Sequence, residues 1–364
     1  MIPLGLYVHF PWCQKKCPYC DFNSHLIPAK QQLSRYIESL LLDLKQQNNS
    51  VFDTVFLGGG TPSLFSGKLL AKLFCKFNIK NHAEITIEAN PNSLTFENLL
   101  QYRQIGINRL SLGAQSFSNR HLKLIARLHN KQQIIDGVHK ARKAGFENIN
   151  LDIMFALPGQ TQDDALADLI CAIKLKPEHI SWYQLTIEPN TVFATRTPKN
   201  LPNDDEVFDT QTKGIELLKL HGFKRYEISA FSRNKPCQHN LNYWQFGDYL
   251  GIGAGAHGKL TQNGQIIRSV KHYNPDEYMQ ANNKTVETTK AQDVVFEFML
   301  NALRLIEGFN IKLFEQRTGF DYKKISTTIN HAIELGFLQK TNNNIKPTDK
   351  GSNFHNDLVA MFLP

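Results

Sequence analysis

Apolar residues fall in short runs separated by longer amphipathic stretches. Runs at Leu4–Phe10, Thr54–Leu57, Glu84–Glu88, Arg109–Leu112, Asn148–Phe155 and His179–Leu185 have the composition and length of strands. Between the first two, a segment predicted as helical over Gln31–Gln47 sets Leu33, Ile37, Leu40, Leu41 and Leu44 at helical spacing. Helices are predicted in the same way over Leu69–Phe77, Phe96–Ile105, Lys131–Ala144, Gln162–Leu175 and Asp204–Leu220. Strand-then-helix units in succession predict an α/β fold, a parallel sheet with helices packed outside it.

Periodicity alone leaves an open sheet and a barrel as alternatives. The polar motifs favour the barrel, because they follow nearly every strand: the cysteines after the first, Gly58-Gly59-Gly60-Thr61 after the second, Glu88 and Asn90 after the third, Gln115 after the fourth and Asp152 within the fifth. An open sheet concentrates its site at one switch point, whereas a barrel gathers one from many strand ends. A full or partial barrel over residues 1–221 is therefore the expectation. Residues 222–290 read as an irregular extension rich in aromatics and glycine. From 291 a strong apolar helix at Val294–Leu305, two further helices at about 311–317 and 322–335, and a terminal hairpin predict a winged-helix-like domain over 291–364.

Hydrophobic residues are 41% and charged residues 20% of the 364, as in a globular protein with a true core. No apolar run reaches the ~20 residues that span a bilayer, and no signal sequence precedes the first strand, so a cytoplasmic protein is expected. The net charge of +8 suits nucleic acid, an anionic membrane surface or an acidic small molecule as partner. Its lysines and arginines are scattered and no RNA-binding signature is present, so a mildly basic solvated surface is expected and no nucleic acid.

The chemistry concentrates in Cys13, Cys17 and Cys20, a C-x3-C-x2-C triplet directly after the first strand. Three thiolates so spaced can converge on three irons of a [4Fe–4S] cluster and leave the fourth open. An open coordination site signals chemistry rather than scaffolding. The alternative, a zinc site completed by His25, lacks the second C-x2-C hook of a zinc ribbon. Cys75 and Cys171 are expected as buried small hydrophobes.

This triplet resembles that of the radical S-adenosylmethionine superfamily. More of the chain is similar to the oxygen-independent coproporphyrinogen oxidase family: Tyr7-Val-His9-Phe-Pro11-Trp-Cys13, Leu57-Gly-Gly-Gly-Thr61-Pro62, Ile87-Glu88-Ala-Asn-Pro91, Ser111-Leu-Gly-Ala-Gln115, Asp152-Ile-Met-Phe-Ala-Leu-Pro158-Gly159 and His239-Asn240-Leu-Asn-Tyr243-Trp244. The resemblance implies a radical-SAM partial (β/α)6 TIM-like barrel. It also implies that S-adenosylmethionine chelates the open iron and contacts Gly59, Gly60, Thr61, Glu88, Gln115, Arg127 and Asp152, with Tyr7 and Tyr19 beside it. Glycines permit close backbone approach, and Arg127 suits a carboxylate.

Oxidases of this family carry a fourth cysteine two residues after the last cluster cysteine; here that residue is Phe22. The departure fits the family's sister group of heme chaperones, which implies heme as ligand and a heme acceptor, such as a respiratory enzyme, as partner. Radical decarboxylation of coproporphyrinogen III is the alternative. Heme iron takes His, Cys, Met or Tyr ligands. His239, flanked by Tyr243, Trp244 and Phe246, is a candidate heme ligand or else a hydrogen-bonded structural histidine; His257, after the run Gly251–Ala256, is a second candidate. His9 is expected to line the barrel near the cluster.

Overall fold

A computed structural model describes residues 2–46, 50–281, 284–288 and 291–364, the backbone alone for 281, 284–288, 291 and 292. The six expected strands are present as β1 (Leu4–Phe10), β2 (Phe52–Gly59), β3 (Ile79–Ala89), β4 (Arg109–Gln115), β5 (Ile149–Phe155) and β6 (His179–Gln184). Each pairs in parallel with the next, beginning with Gly5 opposite Thr54 and Phe10 opposite Gly59. Helices return the chain between them: α1 (Lys30–Lys45), α2 (Gly67–Phe74), α3 (Phe96–Gln104), α4 (Asn119–Leu124), α5 (Lys131–Lys143) and α6 (Gln162–Lys174), with α7 (Asp204–Leu220) after β6. Gln47, the expected end of the first helix, lies outside the described residues. The helix starts are set by side chains: Asn130, Thr161 and Asn203 each close a capping box.

The described residues of the stretch 222–290 are not irregular, contrary to the sequence reading. They supply β7 (Lys224–Glu227), β8 (Ala230–Ser232), β9 (Asp248–Ile252), β10 (His257–Gln262), β11 (Gln265–Lys271) and β12 (Lys284–Thr288), with α8 (Gln238–Trp244) and α9 (Pro275–Ala281) among them. β9 joins the parallel tract beside β1, Leu4 opposite Asp248, and β10 to β12 continue it antiparallel. The main sheet then runs β12-β11-β10-β9-β1-β2-β3-β4-β5-β6-β8-β7. Its two edge strands are not paired to each other, so the barrel is partial. These strands escaped the apolar pattern because they are short and carry lysines whose charges are buried and paired. Lys259 meets Asp248 at 2.8 Å, and Lys271 meets Asp43.

The barrel's main core joins the sheet to its helices through residues such as Leu6, Val55, Ile87, Leu112, Leu151 and Ile180. A second core belongs to the C-terminal helices α10 (Ala291–Ala302), α11 (Ile311–Thr318) and α12 (Lys323–Glu334), which pack with the strands Phe309–Asn310, Leu338–Thr341 and Asn344–Pro347. Two short helices, Asp349–Asn353 and His355–Ala360, close the chain; the sequence reading had not marked them. Phe246 and Ile266 from the barrel side enter this second core, and Arg304 pairs with Glu227 at 3.2 Å across the junction.

Candidate functional site

The cysteine loop is pinned at its base. Trp12–Cys13 pairs with His25–Leu26, the Ile27 N–H donates to the Cys13 carbonyl at 2.9 Å, and His25 N–H to the Pro11 carbonyl at 2.7 Å. Within it, the Cys20 N–H closes a turn on the Cys17 carbonyl at 3.1 Å. All three thiols face one cavity of about 410 Å³. Its walls bring together Tyr19, Gly59, Gly60, Glu88, Gln115, Arg127 and Asp152. Residues from five strand ends, β2 to β6, and the cysteine loop thus meet in one hollow, which a flat sheet could not arrange.

Donors reach the sulfurs. Thr61 Oγ1 donates to Cys13 Sγ at 3.3 Å and Arg127 Nη1 to Cys17 Sγ at 3.6 Å. Asn90 links them, giving its Nδ2–H to Thr61 Oγ1 at 2.9 Å and accepting from Arg127 Nη2. Thr61 is therefore a sulfur partner behind the cavity wall. Burial pushes the Cys13 and Cys20 thiols up, and the Thr61 hydrogen bond opposes that rise at Cys13. Among the described residues no three His, Cys, Asp or Glu side chains converge closely enough to hold a single metal ion. His25 instead bonds Asn23 Oδ1 at 3.0 Å. Three thiols facing one hollow, with His25 bonded elsewhere, suit three corners of a cluster cube better than the four arms of a zinc site.

Across the hollow lie two carboxyls. Glu88 accepts the Gly59 N–H at 3.1 Å, and burial, with Asp152 adding, pushes its carboxyl up to about 8. Burial also raises Asp152, which is held by Ser111 Oγ at 2.9 Å and Asn150 Nδ2 at 2.8 Å. Gln115 sits at a bulge in β4 with φ 65° and accepts the Tyr183 hydroxyl at 2.8 Å. A left-handed glutamine at a strand end is strain kept where a side chain must be aimed into a site. Arg127 is half-buried, its Nη2 on the Gly113 carbonyl at 2.9 Å and its Nε without a protein partner.

Beyond Gly59 and Glu88 a second cavity opens, of about 520 Å³. Tyr7 and His257 face this one, with Tyr243, Trp244, Tyr249 and Arg268; Phe22, Gly59 and Glu88 line both cavities. His9 is there too, bonded to the Tyr7 hydroxyl at 3.0 Å and the Asn23 carbonyl at 2.8 Å. His239 is not. It is 1% exposed beneath Gly5, with Nδ1 on Thr54 Oγ1 at 2.8 Å and Nε2 on the Tyr243 hydroxyl at 2.9 Å. Burial holds its imidazole down at about 3, hence neutral. The arrangement is that of the hydrogen-bonded structural histidine, and it presents no free nitrogen.

The sequence reading placed Asn90 among the strand-end polar residues without giving it a role, named neither Ser111 nor Tyr183 as a site residue, and did not gather Tyr7, Tyr243, Trp244 and His257 into one cavity with Tyr249 and Arg268. Cys75 was misjudged. It is exposed at the end of α2, its Sγ on the Lys72 carbonyl at 3.1 Å, and Cys171 is half-buried.

Comparison with known proteins matches residues 7–170 to the radical SAM superfamily and residues 290–354 to the HemN C-terminal domain. The heme chaperone HemW of Buchnera aphidicola subsp. Acyrthosiphon pisum (strain APS) is 44% identical over 99% of this chain and 98% of its own. HemW of Escherichia coli (strain K12) is 42% identical over 99% and 98%, and that of Bacillus subtilis (strain 168) 32% over 98% of each. Among solved structures, coproporphyrinogen III oxidase (HemN) from Escherichia coli superposes with a TM-score of 0.84 over 99% of this chain and 90% of that one, at 21% identity. That likeness is one of fold.

Proposed function

Since the chain belongs to the HemW heme chaperone family of the radical SAM superfamily, we propose that it binds heme and passes it to an acceptor hemoprotein. The observation that carries this reading is similarity to heme chaperones along the whole chain, combined with Phe22 in place of a fourth cysteine.

Cys13, Cys17 and Cys20 would hold a [4Fe–4S] cluster. Gly59, Gly60, Glu88, Gln115, Arg127 and Asp152, with Tyr19 beside them, would receive S-adenosylmethionine in the first cavity. When bound, the pair supplies a reducible metal centre with a ligand on its open iron. The chain's own part is to hold the Cys13 and Cys17 sulfurs through Thr61 and Arg127, to place Cys20 by its turn on the Cys17 carbonyl, and to close the floor with buried carboxyls. Tyr7 lies one cavity over, where it bonds His9 rather than the first cavity's walls.

Six free cysteines fit a reducing compartment, and a cytoplasmic setting is proposed on that ground. Among the described residues no helix is long and apolar enough to cross a membrane. The acceptor is proposed to be a respiratory hemoprotein.

The second reading, radical decarboxylation of coproporphyrinogen III, rests on the fold shared with HemN. One experiment separates the two. Protein reconstituted anaerobically is loaded with heme, mixed with an apo-hemoprotein and followed by absorbance; a parallel sample receives coproporphyrinogen, S-adenosylmethionine and reductant. Heme transfer without protoporphyrinogen formation supports the chaperone, and turnover overturns it.

A further inference from the structure

We propose that the second cavity is the porphyrin site, with His257 placed to give a ring nitrogen to the iron. The proposal rests on the heme chaperone reading above and says where the ligand goes and what holds it.

The hollow has the size and lining of a small-molecule site: about 520 Å³, more apolar than polar, open at one side. Its walls are unusually aromatic, with Tyr243, Trp244, Tyr249, Phe246, Tyr273 and Phe22 contributing rings. Flat faces of this kind pack against a macrocycle, and phenol and indole edges tolerate polar substituents at its rim. The rings are braced from behind: Tyr243 meets Tyr249 edge to face at 4.6 Å, and the Arg304 guanidinium stacks on Trp244 at 4.3 Å. Arg268 adds a half-buried cation to the wall, held by the Tyr249 hydroxyl at 3.0 Å and by Glu297.

Three histidines are close enough to be considered, and the hydrogen bonds separate them. His239 and His9 are 1% and 5% exposed and each has both nitrogens engaged, so binding iron would break at least one buried bond. His257 stands exposed on the cavity wall, its one hydrogen bond a long contact of 3.3 Å from Nε2 to the exposed Tyr273 hydroxyl.

The segment that carries His257 is fixed in place. Tyr36 accepts the Ala254 N–H at 2.8 Å, and Asn23 Nδ2 donates to the carbonyls of Ala254 at 3.0 Å and Tyr273 at 2.9 Å. Asn23 follows Phe22, the exposed ring shared by the two cavities. The cluster loop and the porphyrin wall are therefore tied together, with an aromatic partition where the oxidases of this family carry a thiol.

The test is hemin titration of the full-length protein with its cluster reconstituted, read by affinity and by the position of the Soret band. His257→Ala is expected to weaken binding by at least roughly tenfold, which is ~1.4 kcal/mol, and to move the band. His257→Cys is expected to bind again with a thiolate-type spectrum. Asn301→Trp, which fills the cavity from α10, is expected to lower affinity while cluster absorbance stays unchanged. An unaltered spectrum and affinity in His257→Ala would remove His257 as ligand, and intact binding in Asn301→Trp would remove the cavity. Failure of the wild-type protein to bind hemin would instead overturn the chaperone reading itself.

Discussion

Gly59 lies so close beneath the His9 ring that a Cβ on the glycine would stand 2.5 Å from His9 Cε1. The glycine also has φ 109°, and its N–H serves Glu88. One residue thus joins the floor of the first cavity to the wall of the second. Gly59→Ala should lose ~1–3 kcal/mol of stability from overpacking and backbone strain together, with weaker S-adenosylmethionine binding. Adding His9→Ala should recover part of the melting temperature but not all, since the positive φ remains. Full recovery would show that the clash alone mattered.

The three cluster cysteines should behave differently from the other three. Cys17→Ser, which removes the sulfur that Arg127 reaches, is expected to lose bound iron and sulfide on anaerobic reconstitution. Cys75→Ser and Cys171→Ser should keep the wild-type metal content, because neither lines the cluster cavity. Zinc in place of iron and sulfide in the wild-type protein would sink the cluster assignment.

How far the chain could be read from its residues depended on where each signal resides. β1 to β6 and their helices were legible because parallel strands buried on both faces read as apolar runs, and the helices carry one apolar stripe. Most of the first cavity was legible because its residues sit at strand ends in motifs. The second cavity was not. Tyr7, Tyr243, Tyr249, His257 and Arg268 come from four separate strands and one helix, and only pairing β9 with β1 brings them together. His239 shows the converse: its motif drew attention as a ligand, while Thr54 and Tyr243, its actual partners, lie 185 and 4 residues away.

A buried ion pair fixes the second cavity from behind. Lys271 and Asp43 are 1% and 0% exposed in their side chains, and Asp43 also accepts the Tyr278 hydroxyl at 2.8 Å and the Gly253 N–H at 3.4 Å. Asp43→Ala leaves a buried lysine unpaired and should cost ~3–5 kcal/mol, seen as a lower urea midpoint. Asp43→Leu combined with Lys271→Met should be markedly milder, because no lone charge is stranded. Equal losses in the two proteins would contradict this account.

Glu88 should give the empty protein a distinctive pH dependence. Its carboxyl is pushed from 4.5 up to about 8 on folding, mainly by burial. Between those values the folded chain keeps a proton that the unfolded chain has released. Stability from this group is therefore fully present below pH 4.5 and lost as pH rises through about 8, with a slope of at most ~1.4 kcal/mol per unit. Glu88→Gln, which cannot ionise, should flatten that part of the curve; parallel urea-midpoint profiles for the two proteins would refute the assignment. The same carboxyl bears on ligand uptake. A cationic ligand in the first cavity favours ionised Glu88, so S-adenosylmethionine binding at pH 7 should release more protons from the wild type than from Glu88→Gln. Calorimetry in two buffers of different ionisation enthalpy measures that difference directly, and equal proton release from the two proteins would refute the prediction.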